Sequence, residues 1–185
     1  SDFGDELYFK HLSLETADHL YTQAFNSILS IQACAEVKNY DLPQFSAVRL
    51  HEELGWFQQW YVGAYLGLSL STIEQQALSS MFSLIVNQAL SQPQVLVHKD
   101  FHSRNLFVLD HGDVGVIDFQ DALIGPITYD LMSLLYDHYI AWPREKIIEW
   151  VRVFHAKLVA SGRTDCDNFT VFLQWHDWLM LQRVM

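Results

Sequence analysis

The sequence predicts an α+β domain, mostly α, in which a small β-hairpin carries the chemistry. Three observations lead there. Apolar residues recur at helical spacing through the first half and the last third of the chain. From Gln94 onward the period changes to short apolar runs of the strand type. Within that centre, His98 to Leu106 reads HKDFHSRNL, with an ionisable residue at every second position between the apolar runs QVLV and FVLD. Such a string is hard to bury and calls for a chemical reason.

The elements follow in order. Ala17, Leu20, Tyr21, Ala24, Phe25 and Ile28 form the stripe of a first helix, with Ser13 or Thr16 as its cap. YDLPQF, Tyr40 to Phe45, breaks it, because Pro43 holds its predecessor extended. A second helix is expected from about Ser46 to Tyr65, burying Leu50, Leu54, Phe57 and Tyr61. Ser71 and Glu74 make a capping box for a third, with Leu78, Met81, Phe82 and Ile85 inward. QVLV, LFVLD and VGVID read as three strands, the last two joined by a turn at His111-Gly112-Asp113. Helices resume at YDLMSLLYDHY, then at Pro143 to Ala160 and from Asn168 onward.

The chain has 185 residues, enough for one domain, residues 1–185, and half of them are hydrophobic. No apolar run approaches the roughly 18 residues a membrane span needs, so no membrane partner is expected. The net charge of −11 argues against nucleic acid as a partner. It also requires a cation to offset the field before an anion such as ATP can bind. Cys34 and Cys166 have neither zinc nor disulfide spacing and read as reduced thiols of a cytoplasmic protein.

Asp100 lies on a loop between two strands, with Asn105 five residues on and Asp118 thirteen further, at the end of the next strand. A hairpin brings the ends of its strands together, so Asn105 and Asp118 can face one point. An amide carbonyl and a carboxylate are hard oxygen ligands suited to Mg²⁺. Asp100 is then free to act as a base. A base beside a two-ligand magnesium site is what phosphoryl transfer needs. An alternative reading makes His98, Asp100 and His102 metal ligands, as H-x-D-x-H.

The spacing His98-x-Asp100-x-x-x-x-Asn105 resembles the protein-kinase catalytic loop, and Ile117-Asp118-Phe119 stands where that family has its metal aspartate. There is no Gly after Phe119, no A-P-E, and His102 stands where Lys would. Those departures resemble the small-molecule branch, the aminoglycoside phosphotransferase and choline kinase group. HSRNL, IDFQDA, GPITYDL and HEELGWFQQWYVGAYLG resemble, more narrowly, the bacterial kinases of cell-wall amino sugars. The resemblance implies an ATP-dependent kinase of a small acceptor, the anomeric hydroxyl of N-acetylmuramate or N-acetylglucosamine. Asp100 would be the base, Asn105 and Asp118 the Mg²⁺ ligands, and His98 and Asp130 would structure the loop. It also implies that residues 1–185 are the carboxy-terminal lobe of a protein-kinase-like fold. SDFGD at residues 1–5 would be a remnant of the hinge that holds adenine, through Asp2, Phe3 and Gly4, rather than a true D-F-G. No G-x-G-x-x-G occurs, the first residue is not Met, and the last helix has no stop signal. Both ends therefore read as cut, with the amino-terminal lobe missing and the isolated lobe expected to be inactive.

The remaining residues divide between bland and functional readings. His102 is a backbone-bonded loop histidine or a contact to phosphate or acceptor. Gln120 and Asp121 line the acceptor pocket or shape the loop. Glu52 and Glu53 form a solvated face, or Glu53 forms an acidic pocket edge. Arg104 reads as a surface residue rather than a phosphate clamp, and Trp175 and Trp178 as packing. Two rivals stay open: a kinase of choline, a drug or homoserine, and a non-catalytic kinase-like interaction module.

Overall fold

The computed structural model describes residues 3–34, 41–109, 112–163 and 165–185. Asp2 of the expected hinge, Tyr40 and the turn residue His111 lie outside that range. After the short helix α1, Tyr8–His11, the first long helix α2, Ala17–Gln32, buries all six residues of its expected stripe. Thr16 is its N-cap residue but makes no capping bond. Its hydroxyl donates instead to the His11 carbonyl at 2.6 Å.

α3, Ala47–Trp56, is capped by the Ser46 hydroxyl, which accepts from the Arg49 amide. It then widens into a π-helical segment, Phe57–Tyr65. The single long α-helix expected from the sequence is therefore corrected here. In the wider turn, residues four apart lie over one another. Phe57, Tyr61 and Tyr65 stack at 5.4 and 5.7 Å and run out to the surface. Tyr61 is consequently exposed rather than core. α4, Thr72–Leu90, starts with the expected capping box of Ser71 and Glu74. Its buried face is Phe82, Ile85, Val86 and Ala89, so Met81 is exposed where the stripe had it inward. The true seam runs one residue further round the helix.

The centre holds two antiparallel pairs. β2, Leu106–Val108, and β3, Val114–Val116, form the expected hairpin. β1, Gln94–Val97, pairs with β4, Leu123–Pro126. β4 was not expected; its Gly125 and Pro126 are poor strand residues. Pro126 sits at the strand end, where its missing N–H is tolerated. Pro43 and Phe45 attach to the other side of β4, the Phe45 amide donating to the Ile124 carbonyl at 2.9 Å. Gly115 lets the hairpin and the chain start approach closely, since a Cβ there would meet the Phe3 ring at 3.1 Å and the Phe107 Cβ at 3.2 Å. The segment before α1 thus lies on the hairpin, with the Val108 amide donating to the Glu6 carbonyl at 2.7 Å.

α5, Tyr129–Leu135, α6, Arg144–Ala160, and α7, Phe169–Val184, complete the helical body. α5 ends earlier than the YDLMSLLYDHY pattern suggested. An aromatic core joins α2 to α6 and α7. Tyr21 meets Trp150 edge-on at 4.8 Å, Phe25 meets Phe154 at 5.6 Å, and Phe154 stacks on Phe172 at 6.1 Å. Asp18 on α2 accepts from the Trp150 indole at 2.8 Å. No helix among the described residues is long and apolar enough to cross a membrane.

Candidate active site

The loop between β1 and β2 is pinned from below by α5. The buried Asp130 carboxylate accepts from the amides of His98 at 2.8 Å and Lys99 at 3.0 Å. Burial pushes the Asp130 carboxyl up to about 7, while the two amide bonds and Arg183 pull the other way. Lys99 has φ 77°, a left-handed backbone costing roughly 1–2 kcal/mol outside glycine. The Asp130 bonds hold that turn in place. Asp130→Ala is expected to lower stability by about 3 kcal/mol, since two buried charge-assisted bonds are lost. Denaturant unfolding reads this directly; a loss under about 1 kcal/mol would remove Asp130 from the role.

A second acid, Asp137, was not singled out in the sequence. Its carboxylate accepts from the Ser103 amide at 2.8 Å and the Tyr139 amide at 3.0 Å. Asp137 stands two residues past the end of α5, so the two acids hold the loop from the start of that helix and from the turn that follows it. Between these anchors Phe101 is fully buried and acts as the loop's apolar plug.

Above the anchors the Asn105 side chain links the Asp100 backbone to Asp118. The Asn105 side-chain amide donates to the Asp100 carbonyl at 3.0 Å and lies 3.5 Å from an Asp118 carboxylate oxygen. With Nδ2 so directed, Oδ1 is the Asn105 atom available as a ligand. Asp118 stands two residues past β3, outside the strand expected to end on it, with φ 71°. Asp tolerates this conformation better than most residues. Asp100 is half-buried and Asp118 exposed, at a point that solvent and a ligand can reach. Asn105 and Asp118 fit Mg²⁺, whose other ligands would be phosphates and waters. Among the described residues no three His, Cys, Asp or Glu side chains gather into a metal site, which sets aside the H-x-D-x-H alternative.

The His98 ring is buried edge-on against Phe101 at 5.8 Å. Neither ring nitrogen makes a hydrogen bond of good geometry, although the Ile117 backbone is near enough to favour the proton slightly. Burial holds the imidazole below its ordinary pKa, so it is a neutral packing group. His102 is half-buried against Tyr139 at 5.8 Å, with Nδ1 lacking a partner among the described residues. The backbone bond expected of a loop histidine is absent there. Arg104 lies over the Tyr139 ring at 4.7 Å and is exposed, as a surface residue. Gln120 donates to Asp118 at 2.7 Å and so orients the carboxylate. Asp121 is exposed.

Glu53 departs from a solvated face. It is half-buried beside the loop, accepts from Gln182 at 3.1 Å and lies 3.9 Å from Lys99. Glu52 is exposed, so only the expected pocket-edge member of the pair is at the site. Of the hinge residues, Phe3 packs on Phe107 at 6.0 Å, and Gly4 has φ 70°.

A sequence model of the APH phosphotransferase enzyme family matches residues 3–163. The N-acetylmuramate/N-acetylglucosamine kinase of Pseudomonas putida is 32% identical over 182 residues, covering 98% of this chain and 53% of its own. The protein of the same name from Neisseria meningitidis serogroup B is 35% identical over 164 residues, covering 89% and 48%. This chain therefore spans about half the length of the curated relatives it matches. Among solved structures, Plasmodium vivax ethanolamine kinase superposes with a TM-score of 0.61 at 14% identity, over 97% of this chain and 54% of that one. The gentamicin complex of aminoglycoside phosphotransferase APH(2″)-IIa gives 0.59 at 17% identity, over 85% and 55%. At such identities these structures speak for the fold alone.

Proposed function

The chain belongs to the phosphotransferase enzyme family and has the fold of a kinase-like carboxy-terminal lobe; on that premise we propose that it is the catalytic lobe of an ATP-dependent kinase of a small hydroxylated acceptor. The acceptor is an amino sugar, N-acetylmuramate or N-acetylglucosamine, phosphorylated at its anomeric hydroxyl. The observation that supports this reading is the Asn105 side chain, which donates to the Asp100 backbone carbonyl and lies 3.5 Å from the Asp118 carboxylate, where Asp100 is half-buried and Asp118 exposed. The names of the curated relatives support the choice of acceptor.

Asp100 takes the proton of the acceptor hydroxyl as its oxygen bonds to the γ-phosphorus and the bond to the β-phosphate oxygen breaks. ADP leaves with that electron pair. Asn105 and Asp118 would hold Mg²⁺, which when bound would neutralise charge on the phosphates. Asp130, Asp137 and His98 fix the loop so that little reorganisation is needed at the moment of reaction. The cytoplasm, where ATP and free thiols coexist, is its compartment.

An amino-terminal lobe of the longer protein would supply the rest of the nucleotide site. This chain alone is therefore expected to bind Mg-ATP weakly and turn over little or not at all. Calorimetry checks this: a dissociation constant in the low micromolar range would contradict it. The test of the function is release of ADP by the longer protein from Mg-ATP, dependent on either amino sugar. Release dependent instead on choline, an aminoglycoside or homoserine would change the acceptor and keep the chemistry.

A further inference from the structure

Beside the Asp100 loop lies a cleft of about 470 Å³, within the size range of small-molecule sites. Its lining combines Trp56, Trp60 and Tyr61, from α3 and the π-helical segment, with Glu53, Lys99 and Arg183. The charges there are unevenly matched. Glu53 is engaged by Gln182 at 3.1 Å, Arg49 at 3.4 Å and Lys99 at 3.9 Å. Arg183 has no hydrogen bond or ion pair among the described residues, and its Nε is buried without a partner. Next to it on α7, the buried Gln182 also leaves its Oε1 unpartnered. The Arg183 charge is felt at His102, Tyr129 and Asp130, but Asp130 is occupied by two backbone amides.

The Arg183 Nη nitrogens have no hydrogen-bond partner among the described residues and, unlike Nε, are not closed off, so a ligand in the cleft can supply the acceptor they lack. The planar fork of Arg matches a carboxylate in two parallel bonds. In a chain of net charge −11, a site for an anion needs such an unbalanced cation. The Lys99 charge is already met by Glu53, which leaves Arg183 as the free one among the cleft's described cations.

We infer that Arg183 binds a carboxylate of the acceptor, so that the cleft takes an acidic amino sugar in preference to its neutral counterpart. This rests on the amino-sugar reading above. N-acetylmuramate differs from N-acetylglucosamine by a lactyl ether bearing a carboxylate, which is the group Arg183 selects. The aromatic wall gives both sugars an apolar face to lie on. Arg183 is thus a specificity residue, separate from the groups that carry the reaction.

The test is calorimetric titration of the longer protein, without nucleotide, against N-acetylmuramate, its methyl ester and N-acetylglucosamine. The wild type should bind N-acetylmuramate roughly tenfold more tightly than the other two, the effect of one charge-assisted contact. Arg183→Gln should remove most of that preference and weaken N-acetylglucosamine far less. Arg183→Lys should retain part of it. Equal affinity of the wild type for N-acetylmuramate and N-acetylglucosamine overturns the inference while leaving the amino-sugar reading standing. An equal loss for both sugars in Arg183→Gln also overturns it, and would assign the arginine to the fold or to the nucleotide phosphates. Binding of none of the three sugars sinks the inference and the amino-sugar reading together.

Discussion

Asp100→Asn is expected to lower turnover of the longer protein by about two to four orders of magnitude, the usual contribution of a positioned base. The fold should survive. Asp100 is half-buried, its backbone carbonyl rather than its carboxylate holds Asn105, and the loop is anchored elsewhere by Asp130 and Asp137. An Asn has nearly the same shape but cannot accept the proton. The loss should fall on kcat, with the acceptor KM little changed, because the substitution removes an interaction made during transfer. Circular dichroism and a thermal melt would check the fold. Turnover within about threefold of wild type, in a folded variant, would take the base role away from Asp100.

Asp118→Asn should remove the Mg²⁺-dependent part of nucleotide binding, by roughly 100-fold, the upper end of what metal-site substitutions cost. Asn is the suitable replacement because position 118 has φ 71°, which Asn tolerates and Ala does not. The substitution removes charge without adding backbone strain. It also leaves Gln120 a hydrogen-bonding neighbour. Titrating ADP with and without Mg²⁺ isolates the effect. Wild type should gain affinity on adding the metal and the variant should gain little. Equal gains in both would rule Asp118 out as a ligand.

Much of this site was legible in the sequence because its residues are local. Asp100, Asn105 and Asp118 lie within nineteen positions, and a single hairpin brings them together. Turn chemistry and apolar alternation suffice to predict a hairpin. The capping box at Ser71 and the α2 stripe were legible for the same reason. What remained hidden depends on distant pairing. β4 carries Gly125 and Pro126, poor strand residues, and exists because β1 and the Pro43 segment flank it. The π-helical turn at Phe57 has no signature in apolar spacing, so Tyr61 was put in the core. For Glu53 two readings were open, and its contact with Gln182, 129 positions away, is what the sequence did not show. The cleft beside the loop is assembled from α3, the π-helical segment, the loop, α5 and α7, and no single segment announces it. Asp137 was missed because it stands in the turn after α5 and its role is set by the Ser103 amide, 34 positions away.

The proposed reaction is transfer of the γ-phosphate of ATP to an amino sugar with Asp100 as the base. The most direct test incubates the longer protein with Mg-ATP and N-acetylmuramate or N-acetylglucosamine and follows the ³¹P spectrum. A new anomeric sugar phosphate signal, absent from the Asp100→Asn control, is the predicted result. An unchanged ATP spectrum with both sugars, from protein that binds Mg-ATP, would contradict the assignment of the acceptor. Failure to bind Mg-ATP at all would contradict the kinase reading itself and point to a kinase-like lobe that docks a partner.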